Sequence, residues 1–381
     1  MQMNKRIKVM HVVESFCGGV FTSVTQIINH LNPENFDASL VYSLRPETPS
    51  NFREFIRPDV QLIALPMTRE IKPIEDLGTL ARLMRLFSKE RPDVVHLHSS
   101  KAGVLGRLAA RLAKVPAVLY SPRGFAFLRQ DVGASKQAQY RLFEHMAARF
   151  GGTVIACSMG ELEAARQVAR RTTLLNNAID VDAIDSIVRP DSSANVKRAD
   201  EITVAIAGRI VPQKAPALFA ELARRVTAAR PGGVKFVWIG SGENVRELAH
   251  APIEVTGWLP REDVLKTIHN KVDIYLHTSL WEGMPLAILE AMALRKPIVA
   301  TDCIGNSDVV AHGQTGFLGA TPDELTHGLL RLVDDARWRD KMGMAGRARA
   351  VAEFSLPLLI RNISNLYQAT YDLSRAPPAS I

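Results

Sequence analysis

The chain has 381 residues but only three cysteines, Cys17, Cys157 and Cys303. An odd, widely spaced set is no disulfide framework and fits no zinc-binding spacing. Apolar runs are short. The first, around Ile7–Val13, is interrupted by Lys8 and His11, so no secretory leader is read there. None reaches the ~20 residues of a membrane-spanning helix. Aromatic residues make up 6%. No RNP-like motif or aromatic-interleaved basic stripe occurs, so nucleic acid is not an expected partner. Proline (21) and glycine (24) are too few for a fibrous or low-complexity chain. The expected location is the cytoplasm, with attachment to the inner face of the plasma membrane as the membrane option.

What is present is ordinary globular composition, 47% hydrophobic and 23% charged, in a chain long enough for two domains. Lys and Arg outnumber Asp and Glu by 47 to 39, a net charge of +8. Nearly all of this excess sits in residues 101–150. That window holds nine basic residues and two acids, Asp131 and Glu144, a local net of +7. Such a block attracts anions. Three readings are open: a solvated face, a phosphate-bearing acceptor, or an anionic membrane surface. For the last, the spacing of Val104, Leu105, Arg107, Leu108, Arg111 and Leu112 would let a helix lie on lipid. Any core-facing helix shows the same spacing.

Strand-like and helix-like segments alternate along the chain. Ile7–Val13, Val94–His98, Ile202–Ala207, Val234–Ile239 and Ile298–Thr301 read as buried strands, with helical spacing between them. The class is α/β with parallel sheets. The polar stretch around 187–200 reads as a linker. The expected domains are 1–185 and 200–355, each Rossmann-like, with ligands beyond the carboxyl ends of the strands and in the cleft between domains.

The most informative segment runs from Trp281 to Met292. It follows a strand and opens a helix, with Pro285 suited to the first turn. The backbone N–H groups of Gly283, Met284 and Leu286 then lie where a helix N-terminus holds an anion. Glu282 stands at the mouth and Glu290 one to two turns in, as two separate contacts rather than a dyad. Carboxylates in such places suit hydroxyl-rich ligands. Arg209 and Lys214 follow a strand, and two cations there suit a diphosphate. Gly18 and Gly19 stand between a strand and a helix, where backbone can approach a ligand, without forming a dinucleotide fingerprint. His96 and His98 share one strand face. With no third ligand near in sequence, they read as buried or ligand-contacting histidines rather than a metal site. Asp180-Val181-Asp182 is set aside as a chance metal-motif match.

These motifs, in this order, resemble the retaining glycosyltransferases of family four, the group 1 enzymes of bacterial surface polysaccharide assembly, which have the GT-B fold. Asn177–Asp180, Gly240–Gly242, Gly257-Trp258 and Gly313–Phe317 extend the resemblance over nearly the whole chain. It implies two Rossmann-like domains, with the C-terminal helix (356–375) packing back on the first, acceptor-binding one. It implies a metal-independent, retaining hexosyltransferase. The donor would be a nucleotide sugar, with UDP the commonest choice, and the acceptor a saccharide or lipid-linked saccharide. Arg209 and Lys214 would grip the diphosphate. Glu282 with Gly283, Met284, Pro285 and Leu286 would hold the sugar, and Glu290 the ribose. Gly18 and Gly19 would touch the donor phosphate, and His98 the sugar near the reacting carbon. Two departures stand out: Lys214-Ala215 where relatives often have Lys-Gly, and Arg123-Gly124 where they often have His-Gly. The rival readings are a nucleotide-sugar epimerase, a sugar phosphorylase, and a non-catalytic nucleotide-sugar-binding subunit.

Overall fold

β-branched and apolar runs four to seven residues long, bounded by turn residues, make strands that bury both faces. That requires helices on either side of a parallel sheet. The computed structural model describes residues 5–68, 70–189 and 201–376 and has this arrangement twice. One unit comprises the chain up to Leu128, Gly133–Asn177, and the chain from Pro357 on. The other comprises Arg129–Val132 and Ala178–Leu356. The boundary therefore falls at 177/178, before the expected 185. The reason is local. The helix Val181–Ile187, capped by Asp180 through Ala183 N (3.0 Å), belongs with the second unit, where Asp185 pairs with Arg347 (2.5 Å). Most of the expected linker, 190–200, lies outside the described residues.

The first sheet has seven parallel strands: β1 (Ile7–Val13), β2 (Phe36–Tyr42), β3 (Gln61–Ala64), β4 (Val94–His98), β5 (Ala117–Ser121), β6 (Thr153–Ala156) and β7 (Thr172–Leu174). Their order is β3-β2-β1-β4-β5-β6-β7. The second has six: β8 (Ile202–Ala207), β9 (Val234–Ile239), β10 (Ile253–Val255), β11 (Ile274–His277), β12 (Ile298–Thr301) and β13 (Gly316–Gly319), ordered β10-β9-β8-β11-β12-β13. In both, strand order reverses once, between β1 and β4 and between β8 and β11. These are the switch points where open parallel sheets bind ligands.

The helix Leu356–Arg375 packs on the first unit through Leu359, Ile363 and Tyr367, all buried. The Tyr367 hydroxyl meets His96 Nδ1 at 2.7 Å, 271 residues away in sequence.

Within the basic block Arg111, Lys114, Lys136, Arg141 and Arg149 are exposed, but Arg107 and Lys101 are not free charges. Arg107 is 2% exposed, bonded to Glu144 (2.8 Å) and lying over the Tyr120 ring. Lys101 pairs with Asp76 at 2.6 Å. The helix Ser100–Leu112 turns Ala102, Gly106, Arg107 and Ala110 inward. The expectation that Arg107 faces lipid is corrected: an internal acid at Glu144 draws its guanidinium into the core.

Candidate functional site

In the second unit, β8 ends at Ala207 and the chain turns through Gly208 (φ +143°). It then forms a short 3-10 turn, Pro212–Lys214, that ends in Ala215 with φ +46°. Ala215 thus holds the left-handed conformation that glycine adopts without strain. The neighbouring strand β11 ends at His277 and continues into the loop 278–285. The two loops are stitched together: Leu280 N donates to Gln213 O (2.9 Å) and Thr278 Oγ1 to Lys214 O (2.6 Å).

This brings Lys214 and Glu282 together. Lys214 Nζ lies 2.7 Å from Glu282 Oε1, which also accepts from Ser279 Oγ (2.8 Å) and faces His277 Nε2 (3.3 Å). Burial works to raise the Glu282 carboxyl pKa, but Lys214 and the hydrogen bonds overcome this and hold it well below the usual carboxylate range. Burial, then Lys214, push His277 down to about 4, so it stays neutral near pH 7. Gly305 lets the next loop abut this one. A Cβ there would lie 2.8 Å from Gly283 O and 2.9 Å from Glu282 Cβ.

The helix starts at Leu286, with Pro285 as its N-cap rather than in its first turn. Gly283, Met284 and Pro285 are buried in the lead-in, with Leu286 half-buried. Glu290 is apart from Glu282. Its Oε1 accepts from Arg261 Nε (2.9 Å) and Nη2 (2.7 Å). Arg209 is exposed on the Lys214 loop. Sequence reading missed Arg261, His277 and Ser279. An arginine at a helix start looks like any surface charge, although His277 in an apolar strand was a signal.

In the first unit, Gly18 and Gly19 are the first two residues of the helix Gly18–His30, not a loop before it. Gly18 takes φ +53°, and the space where its Cβ would stand is open. His98 is fully buried at the end of β4, as are His96 and His11. His11, missed from sequence, lies opposite His96 in the β1–β4 register. His11 Nδ1 meets His98 Nε2 at 3.1 Å, and His96 bridges Tyr367 and Ser121 Oγ (2.9 Å). Among the described residues, these three histidines are the one group with metal-ligand spacing. The donor set has no carboxylate, and Arg123 adds positive charge beside it. Burial first, then neighbouring charges, lower all three imidazoles, His11 to about 3. His11 and His98 form one hydrogen-bonded pair and His96 a separate group with Tyr367 and Ser121, while His11 Nε2 and His98 Nδ1 are buried without a partner among the described residues.

Two descriptions of glycosyltransferase families fit the chain. That of group 1 glycosyl transferases matches residues 201–335, and that of the glycosyl transferase 4-like domain matches 18–177. An Escherichia coli protein, UDP-Gal:alpha-D-GlcNAc-diphosphoundecaprenol alpha-1,3-galactosyltransferase, is 30% identical over 96% of this chain and 97% of its own length. The chain belongs to the group 1 glycosyltransferases. Another relative of this glycosyltransferase, the Staphylococcus aureus capsular polysaccharide biosynthesis glycosyltransferase CapM, is 24% identical over 89% of this chain and 92% of its own. The crystal structure of Anabaena Alr3699/HepE in complex with UDP has the same fold, with a TM-score of 0.75 and 19% identity. It covers 95% of this chain and 100% of the other. The architecture is GT-B, with two Rossmann-like α/β units.

Proposed function

We propose that this glycosyltransferase moves a hexosyl group, with retention and without a metal, from a UDP-sugar to a hydroxyl of a lipid-linked saccharide in surface polysaccharide synthesis. The observation that carries this is the Lys214–Glu282 pair at the carboxyl ends of β8 and β11. A fixed ammonium there stabilises the charge that grows on a leaving diphosphate, with Arg209 on the same loop as a second cation. Glu282 accepts hydrogen bonds from sugar hydroxyls, and the backbone of Gly283, Met284 and Leu286 faces the anion. Glu290, oriented by Arg261, takes the ribose hydroxyls. The leaving phosphate removes the acceptor's proton, so no separate base is required. The UDP-Gal donor and diphosphoundecaprenol-linked acceptor in the name of the E. coli relative support the substrate classes.

A lipid-linked acceptor places the enzyme at the cytoplasmic face of a membrane. No described helix is long and apolar enough to cross one. With Arg107 internal, a further candidate for lipid contact is the start of the helix Pro73–Glu90, where Ile71, Ile74 and Leu77 are exposed (58%, 87% and 66%) among Glu70, Lys72, Glu75 and Asp76, with Arg82 and Arg85 two to three turns along.

Thermal unfolding against UDP, GDP, ADP, CMP and dTDP, with and without magnesium, tests the donor reading. UDP at ~100 times its dissociation constant stabilises by about 2.7 kcal/mol. The expected result is that UDP stands out and magnesium adds nothing. No shift from any diphosphate favours the binding-subunit or phosphorylase readings. Turnover of the nucleotide sugar without an acceptor favours an epimerase.

A further inference from the structure

The two units repeat one arrangement, and the proposed function uses it only in the second. There β11 ends in buried His277, and Ser279, two residues on, donates to the Glu282 carboxylate that pairs with Lys214. In the first unit β4 ends in buried His98, and the next residue, Ser99, donates to Glu14 Oε2 (3.1 Å). Glu14 directly follows β1, on the other side of the switch point, and pairs with Arg45 from the loop after β2. Burial is the main cause that lowers both imidazoles, so each is neutral near pH 7. Each switch point thus carries a neutral histidine, a serine hydroxyl, and a carboxylate balanced by one cation.

The first set is nearly as open as the second. The side chains of Arg45 and Glu14 keep 16% and 7% of their surface, against 16% and 12% for Lys214 and Glu282. Gly18 and Gly19, just after the same loop, are exposed, and no atom stands within 4 Å of where a Gly18 Cβ would be. Ser99 holds φ +75°, a strained conformation for serine, and such strain is kept where a side chain must be aimed. Its hydroxyl is aimed at Glu14. Thr48 fixes the loops around the pair: its hydroxyl accepts from Arg45 N (2.9 Å) and donates to Phe16 O (2.7 Å). An ionised carboxylate has about four lone-pair positions. Arg45 and Ser99 take one on each oxygen, so Glu14 is fixed in place with capacity to accept more hydrogen bonds. At the switch point of an open parallel sheet, that suits a ligand that donates through hydroxyls.

We propose that Glu14, oriented by Ser99 and Arg45, accepts a hydrogen bond from a hydroxyl of the acceptor saccharide and so selects the acceptor. This rests on the function proposed above, in which Glu282 serves the sugar being moved. Glu14 would serve the sugar that receives it.

The test has two arms. In the first, calorimetry without a donor titrates the protein with hexosyl and N-acetylhexosaminyl diphosphates on a short alkyl chain. The tightest binder is then compared with analogues that each lack one ring hydroxyl. One analogue should bind the wild type about tenfold more weakly. Glu14→Ala should weaken the parent compound by a similar factor and no longer distinguish that analogue. In the second arm, Glu14→Ala should raise the acceptor's KM about tenfold, with the donor's KM and stabilisation by UDP unchanged. Failure of the wild type to bind any of these compounds overturns the site. So does equal weakening of the parent and every analogue by Glu14→Ala, because a structural prop would act in that way. An effect on the donor's KM alone overturns the acceptor role. If UDP gives no stabilisation but a saccharide binds through Glu14, the proposed function fails and the saccharide site stands. If Glu14→Ala does not fold, Glu14→Gln, which keeps the shape and loses the charge, and the wild-type analogue series decide.

Discussion

Lys214 and Glu282 are 68 residues apart and their charged atoms stand 2.7 Å from each other, with Ser279 and neutral His277 on the same oxygen. On the proposed function, each group would answer a different part of a sugar diphosphate, while in this structure each compensates the other's charge. Glu282→Ala should lower kcat by a hundredfold or more, while stabilisation by UDP persists because Lys214 remains. Steady-state kinetics beside unfolding curves separates the two. Unchanged turnover would remove Glu282 from the mechanism.

The buried histidines set an acid limit. His11 (about 3) and His277 (about 4), with His96 and His98, bind protons less readily when folded than at their ordinary 6.5. Below pH 6.5 the unfolded chain therefore takes up more protons, and stability falls with pH until the folded values are reached. Glu282, held low, acts in the same direction below its ordinary value. Each neutral histidine contributes up to ~1.4 kcal/mol per pH unit in that window. The melting temperature should be flat just above pH 7 and fall steadily from 6.5 to 5. A flat profile there would contradict neutral burial.

Arg107→Met strands Glu144 in the core, where breaking a buried pair costs about 3–5 kcal/mol. Adding Glu144→Gln removes the stranded charge and keeps an acceptor for Tyr120, which bonds Glu144 at 2.7 Å. The double variant should be more stable than Arg107→Met alone. Denaturant titrations of the two variants check this.

Two loop positions should respond in opposite directions. Ala215→Gly relieves a left-handed alanine and should stabilise by about 0.5–1 kcal/mol after the entropy of the unfolded chain is counted. Gly305→Ala forces a methyl group against Gly283 and Glu282, and should lower both stability and turnover. Melting temperatures and a donor assay read both.

Ile74→Asp with Leu77→Asp should abolish co-sedimentation with anionic vesicles and leave UDP stabilisation intact. If the wild type never co-sediments, contact of this surface with anionic lipid is refuted.

The long strands were legible because β1, β4, β8 and β9 are apolar runs with few interruptions. The short β7, β10 and β13 were not: three or four residues, partly exposed or glycine-containing, hold too little pattern. The candidate residues in the loops were recognisable one at a time. Their partners were not, because Lys214 meets Glu282 only through the adjacency of β8 and β11, and spacing along a chain does not give strand order. Arg107 misled for a related reason. A cation at helical spacing looks solvated until Glu144, 37 residues on, is placed beside it.

The bond between His96 and Tyr367 also bears on how the molecule is made. His96 leaves the ribosome 271 residues before its partner. At about 5–20 residues per second this is a wait on the order of tens of seconds. Throughout it, the end of β4 has its imidazole in place but not the helix that covers it. Nascent chains halted before residue 356 should thus present this uncovered strand to chaperones, and the helix Leu356–Arg375 acts as a latch that closes only after both sheets have been synthesised.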